Sequence, residues 1–327
     1  MYRRSAATES GAEESCYPNP MPNRRTLLKA AAGIAMMPRA VLAETFEPPT
    51  LPETALSVIP ATGEKIPTVG MGSWLTFDVG GSAHERKVRV KVLQAFFERG
   101  GGLIDSSPMY GTSQEIIGHC LAELGETPTL FAATKVWIPG RWLGVKQMEH
   151  AQGLWGVPRF DLLQVHNLLD WDTHLATLKE WKVEGRVRYI GVTTSHGRRH
   201  DDLEKIMRTE PIDFVQLTYN IIDREAETRL LPLAQDRGIA VVANRPFQCS
   251  RLFDPVRGQA LPSWARDIDC TNWAQLFLKF IVSHPAVTCA IPATSKVKHM
   301  VENMGALAGR MPNPAQRLAM AVHYASL

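Results

Sequence analysis

The sequence lacks an excess of charge of either sign. Its 327 residues contain 36 lysines and arginines against 33 aspartates and glutamates, which gives a formal net charge of +3. The basic residues are scattered, with no long basic run. Because a nucleic-acid-binding surface needs a concentrated positive patch, we expect no nucleic-acid partner.

Cysteine is scarce, and its spacing disfavours a common kind of metal site. None of the five cysteines belongs to a C-x-x-C pair, so the sequence predicts no zinc centre and no other bound metal. Nothing in the spacing argues for a disulfide. Cys120 lies in a helical pattern and Cys289 in a strand-like pattern, and we expect both to be small core residues.

A third glycine is missing where a dinucleotide-binding sheet would need it. The G-x-G-x-x-G loop of a doubly wound sheet follows its first strand, whereas this chain offers only Gly70-Met71-Gly72. This absence disfavours the doubly wound sheet, which is the main alternative to a barrel.

Residues 49–327 alternate regularly between strand-like and helical patterns. The residues around Thr62-Gly63 form a hairpin signal. Eight apolar runs then follow at 69–74, 103–106, 130–136, 161–166, 189–194, 214–219, 240–244 and 287–292. Helical periodicity lies between them, most clearly at 84–99, 225–237 and 272–283. The pattern predicts one α/β domain, a (β/α)8 TIM barrel with an N-terminal β-hairpin.

Polar residues stand at the carboxyl ends of three consecutive predicted strands, where barrel enzymes hold their catalytic groups. Asp105 and Tyr110 follow the second strand, Lys135 ends the third, and His166 ends the fourth. Each residue alone has an ordinary structural explanation, such as a helix cap or a rim residue. Their joint position at one barrel mouth is typical of an active site.

This set of groups suits the reduction of a carbonyl by hydride, because the alkoxide that forms must receive a proton. A free tyrosine has a pKa of about 10, and a nearby ammonium lowers that pKa by favouring the phenolate. We therefore expect Tyr110 to donate the proton, Lys135 to lower the tyrosine pKa, and Asp105 to hold the lysine. His166 is expected to donate to the carbonyl oxygen and orient it.

Several segments resemble the aldo/keto reductase family. Residues 102–111 (GLIDSSPMYG) are similar to the family signature, and 131–135 (FAATK) and 161–166 (DLLQVH) are similar to its next two motifs. Residues 291–303 resemble its late cofactor-binding segment. The resemblance implies an oxidoreductase that uses NADPH to reduce aldehydes or ketones to alcohols.

The resemblance also implies contacts with the nicotinamide end of the cofactor. Thr193 and Thr194 occupy positions where the family usually has Ser-Asn binding the carboxamide, and Gln216 matches its carboxamide-binding glutamine. Asn244 stands where many members have a tyrosine that stacks on the ring. The nicotinamide ring is then held in a different way, or another aromatic residue such as Phe247 stacks on it.

Further cofactor contacts are implied beyond the nicotinamide. Arg245 is expected to reach the pyrophosphate with its forked donors. Hydroxyl and basic residues suited to a 2′-phosphate follow the last predicted strand: Thr294, Ser295, Lys296, Lys298 and His299. The family's usual basic residue is missing at Ala293, and two of these lysines are expected to compensate. Glu302 and Asn303 match positions that hold the adenine. The pattern favours NADP over NAD.

The mouth of the predicted barrel combines cofactor and substrate contacts. Gly72, Ser73 and Trp74 end the first barrel strand and complete the expected cofactor site. Trp74, Met109 and Trp137 are expected to line an apolar substrate pocket. The expected partner is thus a small carbonyl compound.

Two other functions fit the sequence less well. A nucleotide-binding regulator or sensor with little turnover is favoured only by the asparagine at position 244. A metal-dependent hydrolase on the same barrel would need several histidine or carboxylate ligands at strand ends, and the first strand ends in Trp74.

Residues 1–48 form a leader ahead of the barrel. We expect the first 20 or so residues to be disordered, with Met21 as an alternative start. Arg24-Arg25 precede a short apolar run at 30–37, and Val41-Leu42-Ala43 predicts cleavage after Ala43. The run is far below the roughly 20 residues of a membrane span, so the segment is typical of a signal peptide. An ordinary N-terminal helix is the alternative.

The paired arginines within residues 23–29 resemble a twin-arginine signal. Such a signal implies export by the twin-arginine machinery to the periplasm or another site outside the cytoplasm. Because that route carries folded proteins, the enzyme would load its cofactor in the cytoplasm before export.

Overall fold

Two short antiparallel strands precede the barrel. The computed structural model describes residues 49–327; the predicted leader, with its arginine pair and cleavage site, lies outside the described residues. Strand β1 (Leu56–Val58) pairs with β2 (Lys65–Pro67) across a turn in which Gly63 has a φ of 78°. Ile59 and Ile66 are buried with the barrel-interior side chains, so the predicted hairpin covers the amino end of the barrel.

Eight parallel strands form a closed barrel. They are β3 (Met71–Gly72), β4 (Leu103–Asp105), β5 (Phe131–Val136), β6 (Phe160–Val165), β7 (Val187–Thr193), β8 (Phe214–Thr218), β9 (Ala240–Asn244) and β10 (Cys289–Ala290). Each strand pairs with the next in chain order. The Gly70 amide donates to the Ala290 carbonyl at 2.9 Å, and the Gly72 amide donates to the Pro292 carbonyl at 3.0 Å. These bonds join the first barrel strand to the last, and the predicted (β/α)8 fold is confirmed.

The helices of residues 49–327 follow the strands in alternation. They are α1 (Ala83–Phe97), α2 (Ser113–Leu124), α3 (Arg141–Trp155), α4 (Trp171–Val183), α5 (His200–Thr209), α6 (Leu230–Arg237), α7 (Trp273–Val282), α8 (Val297–Met304) and α9 (Pro314–Ala325). The helix predicted at 225–237 begins later than expected, at Leu230 after a 3-10 turn at Glu225–Glu227. Pro232 explains the late start, because a proline is tolerated in the first turn of a helix and not in its interior.

Strand residues alternate between the barrel interior and the helix layer. On β5, Phe131 and Ala133 belong to the interior cluster. Because side chains in a strand alternate with a period of two, Lys135 continues the same row toward the carboxyl end. The same parity places Asp105 on β4 and Gln164 on β6 in the interior. Tertiary packing thus delivers these polar side chains to one end of the barrel.

Burial agrees with the residue types expected in the core. Cys120 and Cys289 are fully buried, as predicted for small core residues. Across residues 49–327, no helix is long and apolar enough to cross a membrane.

Candidate active site

A buried ion pair joins two neighbouring barrel strands. Lys135 Nζ donates to Asp105 Oδ2 at 2.5 Å and to the Ser106 carbonyl oxygen at 2.9 Å. Lys135 is only 1% exposed and Asp105 only 2%. Burial lowers the pKa of Lys135, and the charge and hydrogen bond of Asp105 oppose that shift. A buried charge without a partner is costly. The opposite charge of each side chain therefore offsets the free-energy cost of burying the other.

Tyr110 lies beside this ion pair, in the loop after β4. Lys135 Nζ is 5.3 Å from the centre of the tyrosine ring. The Tyr110 amide donates to the Ser107 carbonyl at 3.0 Å, which closes a turn in the loop. Beyond the tyrosine, Asp78 Oδ1 accepts from the amide and the hydroxyl of Thr112 at 2.9 and 2.7 Å. The loop that carries the phenol is therefore held from both sides.

The protonation of Tyr110 differs from the expectation. Burial raises the pKa of Tyr110 well above its ordinary value, and the Asp105 charge adds to the rise. The net direction is opposite to the expected lowering, and the stabilisation of the phenolate by Lys135, whose ammonium is paired with Asp105, stays a prediction. The phenol is therefore neutral at neutral pH, which is the form that a proton donor needs.

His166 lies near Tyr110, directly after β6. The two ring centres are 5.8 Å apart in an edge-on arrangement, and the Trp137 ring centre is 6.3 Å from the imidazole. His166 Nδ1 lies 2.7 Å from Ser107 Oγ. Burial, followed by the Lys135 charge, holds the pKa of His166 well below its ordinary range. The imidazole is therefore neutral and carries a single N–H.

The structure thus brings together the four residues predicted from the strand ends. It adds three polar groups that sequence reasoning missed: the Ser106 carbonyl, the Ser107 hydroxyl and the Gln164 amide. Gln164 Nε2 lies 3.5 Å from Asp105 Oδ1. Gln164 precedes His166 by two residues, so strand parity is the signal that identifies it as an interior residue.

Two buried polar atoms, one directly after β7 and one within β8, lack a hydrogen-bond partner within residues 49–327. They are Thr194 Oγ1 and Gln216 Oε1, and the Thr194 amide donates to the Gln216 carbonyl at 2.9 Å. Buried polar atoms normally have partners, and a carboxamide offers both a donor and an acceptor. Both residues therefore fit a nicotinamide carboxamide. Thr193 differs, because its hydroxyl oxygen already accepts from the Asn167 amide at 3.1 Å.

Asn244 and Arg245 both hold the segment that follows β7. Asn244 accepts a hydrogen bond from the Thr218 hydroxyl at 2.7 Å and donates to the Thr194 carbonyl at 2.8 Å. Arg245 Nη1 lies 2.5 Å from His196 Nε2. The Arg245 Nε is buried without a hydrogen-bond partner in the described part of the chain, so one donor is left for a ligand such as a phosphate oxygen.

The bulky residues expected near the mouth divide into two groups. Trp137 is 39% exposed beside the histidine, and Trp74 and Met109 are half-buried at neighbouring strand ends. Phe247 instead packs against Phe253, with ring centres 5.0 Å apart, on the outer core. Phe247 is therefore a packing residue rather than a replacement for the stacking tyrosine.

Gly72 and Ser73 are tightly enclosed at the end of β3. A Cβ added to Gly72 would lie 2.9 Å from the Ile291 carbonyl oxygen, so the close approach of the last strand requires glycine. Ser73 Oγ lies 3.0 Å from the Asp105 carbonyl oxygen and 2.8 Å from Ser106 Oγ. The cofactor contacts expected of both residues stay predictions.

The residues expected at the adenosine end cluster around the start of α8. They are Thr294, Ser295, Lys296, Lys298, His299, Glu302 and Asn303. Thr294 Oγ1 accepts from the Lys296 amide at 3.2 Å. Lys296, Lys298 and His299 are exposed, and Lys298 Nζ lies 3.8 Å from Glu302. Exposed cations beside a helix start suit an anionic ligand.

The fold and the site define a (β/α)8-barrel protein with a cluster of titratable side chains at the carboxyl end of its strands. The family model described as Aldo/keto reductase family matches residues 68–314, and the chain belongs to that family.

Similarity to known proteins extends over most of the barrel. Methylglyoxal reductase YeaE of Escherichia coli (strain K12) is 26% identical over 247 residues, which cover 74% of this chain and 86% of that protein. An NADH-specific methylglyoxal reductase of the same organism is 26% identical over 235 residues, covering 61% of this chain and 69% of that protein. An aldo/keto reductase from Klebsiella pneumoniae, solved with NADP and acetate, superposes with a TM-score of 0.67 at 23% identity. That match covers 80% of this chain and 93% of the Klebsiella chain.

Proposed function

We propose that this protein is an NADP(H)-dependent oxidoreductase that reduces aldehydes or ketones to alcohols. One observation carries the proposal: the buried Lys135–Asp105 pair lies beside Tyr110 and His166 at the carboxyl end of the barrel. A neutral phenol, a neutral imidazole and a compensated ammonium converge there. A reduced nicotinamide, when bound, supplies the hydride.

Tyr110 protonates the product oxygen in this proposal. Hydride addition to the carbonyl carbon leaves an alkoxide, which is a far stronger base than a phenolate. The O–H bond of Tyr110 then breaks, and its proton passes to the alkoxide. The raised pKa of Tyr110 keeps the proton on the phenol until that negative charge develops. Lys135 lies close enough to stabilise the phenolate that remains, which regains a proton from solvent.

His166 orients the substrate. A neutral imidazole N–H donates to the carbonyl oxygen and favours the negative charge that develops there. Trp137, beside the imidazole, limits the directions from which a substrate approaches. Aldehydes and ketones of modest size suit this arrangement, and methylglyoxal, the substrate named for two relatives, is one candidate.

NADP(H) is the cofactor that we propose. Thr194 and Gln216 fit the carboxamide through their unpartnered buried oxygens. Lys296 and Lys298 supply exposed positive charge at the start of α8, which suits a 2′-phosphate. The Klebsiella structure, which holds NADP, supports this choice, whereas the NADH-specific relative requires that both cofactors be tested.

The direct experiment follows NADPH oxidation by the purified protein with 4-nitrobenzaldehyde and methylglyoxal. The matched control is Tyr110→Phe, which removes only the hydroxyl. We expect this variant to bind NADPH normally and to lose about 100- to 10,000-fold in kcat, the range for loss of a general acid. Turnover that survives the substitution unchanged would contradict the role of Tyr110.

A nucleotide-binding regulator with little turnover is the second candidate. Asn244 favours it, because its side chain is bonded to Thr218 and Thr194 and offers no ring for stacking on a nicotinamide. Tight NADPH binding, measured by tryptophan fluorescence, without oxidation by any member of a broad carbonyl panel would favour this candidate. A metal-dependent hydrolase finds no support here: residues 49–327 contain no group of three or more metal-binding side chains arranged around one point.

We infer further that residues 1–48 are a leader whose signal peptide is cleaved after Ala43, and that residues 49–327 form the barrel domain. Arg24-Arg25, the short apolar run and Ala43 in the sequence support this inference. We expect Arg24→Lys/Arg25→Lys to abolish export by the twin-arginine machinery. N-terminal sequencing of the exported protein should begin at Glu44, and a precursor that stays uncleaved in the cytoplasm would contradict the inference.

A further inference from the structure

Ser107 is a buried serine in direct contact with the candidate active-site histidine. Its side chain is fully buried, and Ser107 Oγ lies 2.7 Å from His166 Nδ1. The same oxygen accepts a hydrogen bond from the Met109 amide at 3.2 Å. The two residues are 59 positions apart in sequence, so only the barrel brings them together.

The hydrogen-bonding capacity of a serine restricts where its proton points. A hydroxyl has one donor and two acceptor lone pairs, and the Met109 amide uses one lone pair of Ser107. Within residues 49–327, His166 Nδ1 is the only other hydrogen-bond partner of this hydroxyl. If Nδ1 carried the imidazole proton, two donors would point at Ser107 Oγ, and the hydroxyl proton would be buried without an acceptor. Such a buried unsatisfied donor is strongly disfavoured.

We propose that Ser107 is a positioning residue that fixes the tautomer of His166. The Ser107 hydroxyl donates to Nδ1, and the single imidazole proton is therefore on Nε2. Nε2 makes no hydrogen bond within residues 49–327, so its N–H is available to a ligand. Ser107 also fixes the rotation of the ring, which packs edge-on against Tyr110.

This arrangement explains how His166 acts as a donor without being charged. A neutral imidazole donates from one nitrogen only, and the wrong tautomer would present a lone pair to the substrate carbonyl oxygen, where two acceptors repel. The catalytic consequence rests on the proposed reductase function, whereas the tautomer itself does not. Ser107 acts through His166 and need not touch the substrate.

The tautomer is measured directly on the full-length protein labelled with nitrogen-15. Long-range proton–nitrogen spectra distinguish a protonated from an unprotonated ring nitrogen, and His166→Asn assigns the signals of His166 by their loss. In the wild type we expect a protonated Nε2 and an unprotonated Nδ1. A protonated Nδ1 in the wild type would overturn the proposal, even if no variant were obtained.

Ser107→Ala removes the hydroxyl and tests its role. Without the serine hydroxyl, the hydrogen bond that favoured the Nε2-protonated tautomer is lost. We therefore expect the populations of the two tautomers of His166 to differ by no more than about tenfold. The matched control is Ser113→Ala, which deletes another fully buried serine hydroxyl, one that bonds to the Ser73 carbonyl and does not touch His166. The tautomer of His166 should be unchanged in this control. Equal spectra for wild type and Ser107→Ala would refute the proposal.

Kinetics separate this inference from the proposed function. If the protein is a reductase, Ser107→Ala should lower kcat about tenfold while the Kd for NADPH changes less than about twofold. If the wild type turns over no carbonyl but shows the protonated Nε2, the reductase function fails and the assignment of the tautomer stands. Carbonyl turnover by a wild type with a protonated Nδ1 would support the reductase function and refute the tautomer.

Discussion

The Thr218 hydroxyl donates to the Asn244 amide oxygen across adjacent strands, at a distance of 2.7 Å. The two residues are direct register partners on β8 and β9. Asn244 donates onward to the Thr194 carbonyl, and the Thr218 hydroxyl oxygen accepts from the His196 amide at 2.9 Å. An asparagine at this position therefore holds the backbone around Thr194 by hydrogen bonds, at a place where many family members are expected to carry a stacking tyrosine.

We predict that this bridge supports cofactor binding. Thr218→Val keeps the side-chain shape and removes the hydroxyl, which loosens the backbone that carries the Thr194 hydroxyl. Loss of a buried hydrogen bond costs about 1–3 kcal/mol, so the Kd for NADPH should rise about tenfold in tryptophan-fluorescence titrations. Thr218→Ser keeps the hydroxyl and should bind NADPH as the wild type does. Equal affinities of the valine and serine variants would count against the bridge.

The buried pair of Lys135 and Asp105 predicts coupled losses of stability and activity. Lys135→Met leaves a carboxylate buried without its cation, and the free energy of unfolding should fall by about 3 kcal/mol in urea titrations. The double variant Asp105→Asn/Lys135→Met removes both charges and should regain most of that stability. Its kcat should stay at least about 100-fold below that of the wild type. A double variant as unstable as Lys135→Met would show that the pair is not the cause.

The exposed lysines at the start of α8 are predicted to strengthen the binding of NADPH but not of NADH. Lys296→Ala/Lys298→Ala removes two positive charges from the proposed 2′-phosphate site, so the Kd for NADPH should rise about tenfold at low ionic strength. The Kd for NADH, which lacks this phosphate, should not change. The control Lys91→Ala/Lys205→Ala makes the same charge change at exposed positions on α1 and α5. A loss of NADPH affinity in the control would indicate a general effect of charge.

His284 predicts an acid-sensitive contribution to stability. Burial lowers its pKa from 6.5 to about 4, the Arg317 charge adds to the shift, and Glu227 opposes it. As the pH falls from about 6.5 to about 4, the unfolded chain binds a proton at His284 that the folded chain does not. Stability should therefore fall in this window by about 2 kcal/mol, and the contribution is constant above it.

His284→Asn tests this pH dependence. Asparagine does not titrate in this range, and its side-chain oxygen offers an acceptor in place of Nδ1, which receives the Ala286 amide at 3.2 Å. Urea unfolding measured across the window should show a weaker loss of stability with acid than in the wild type. The same slope in both proteins would exclude His284 as the source.

The sequence by itself determined the architecture and the main polar residues of the site. Short apolar runs and helical stretches with a period near 3.6 are local patterns, and the apolar runs predicted every barrel strand to within a few residues. Asp105, Lys135 and His166 were found because strand ends meet at one face of a barrel. Gln164 was not identified from the sequence, although it lies two residues before His166 and its side chain therefore points into the barrel interior as well.

Only the tertiary structure decided how those groups behave. The pKa of Tyr110 rises rather than falls because burial and the Asp105 charge act on it, and neither solvent exclusion nor charge compensation is visible in a linear pattern. The partners of His166 and Asn244, Ser107 and Thr194, come from segments far away in sequence. Phe247 packs outside the site for the same reason. Periodicity is a property of neighbouring residues, whereas protonation and contact depend on what the closed barrel brings within a few ångströms.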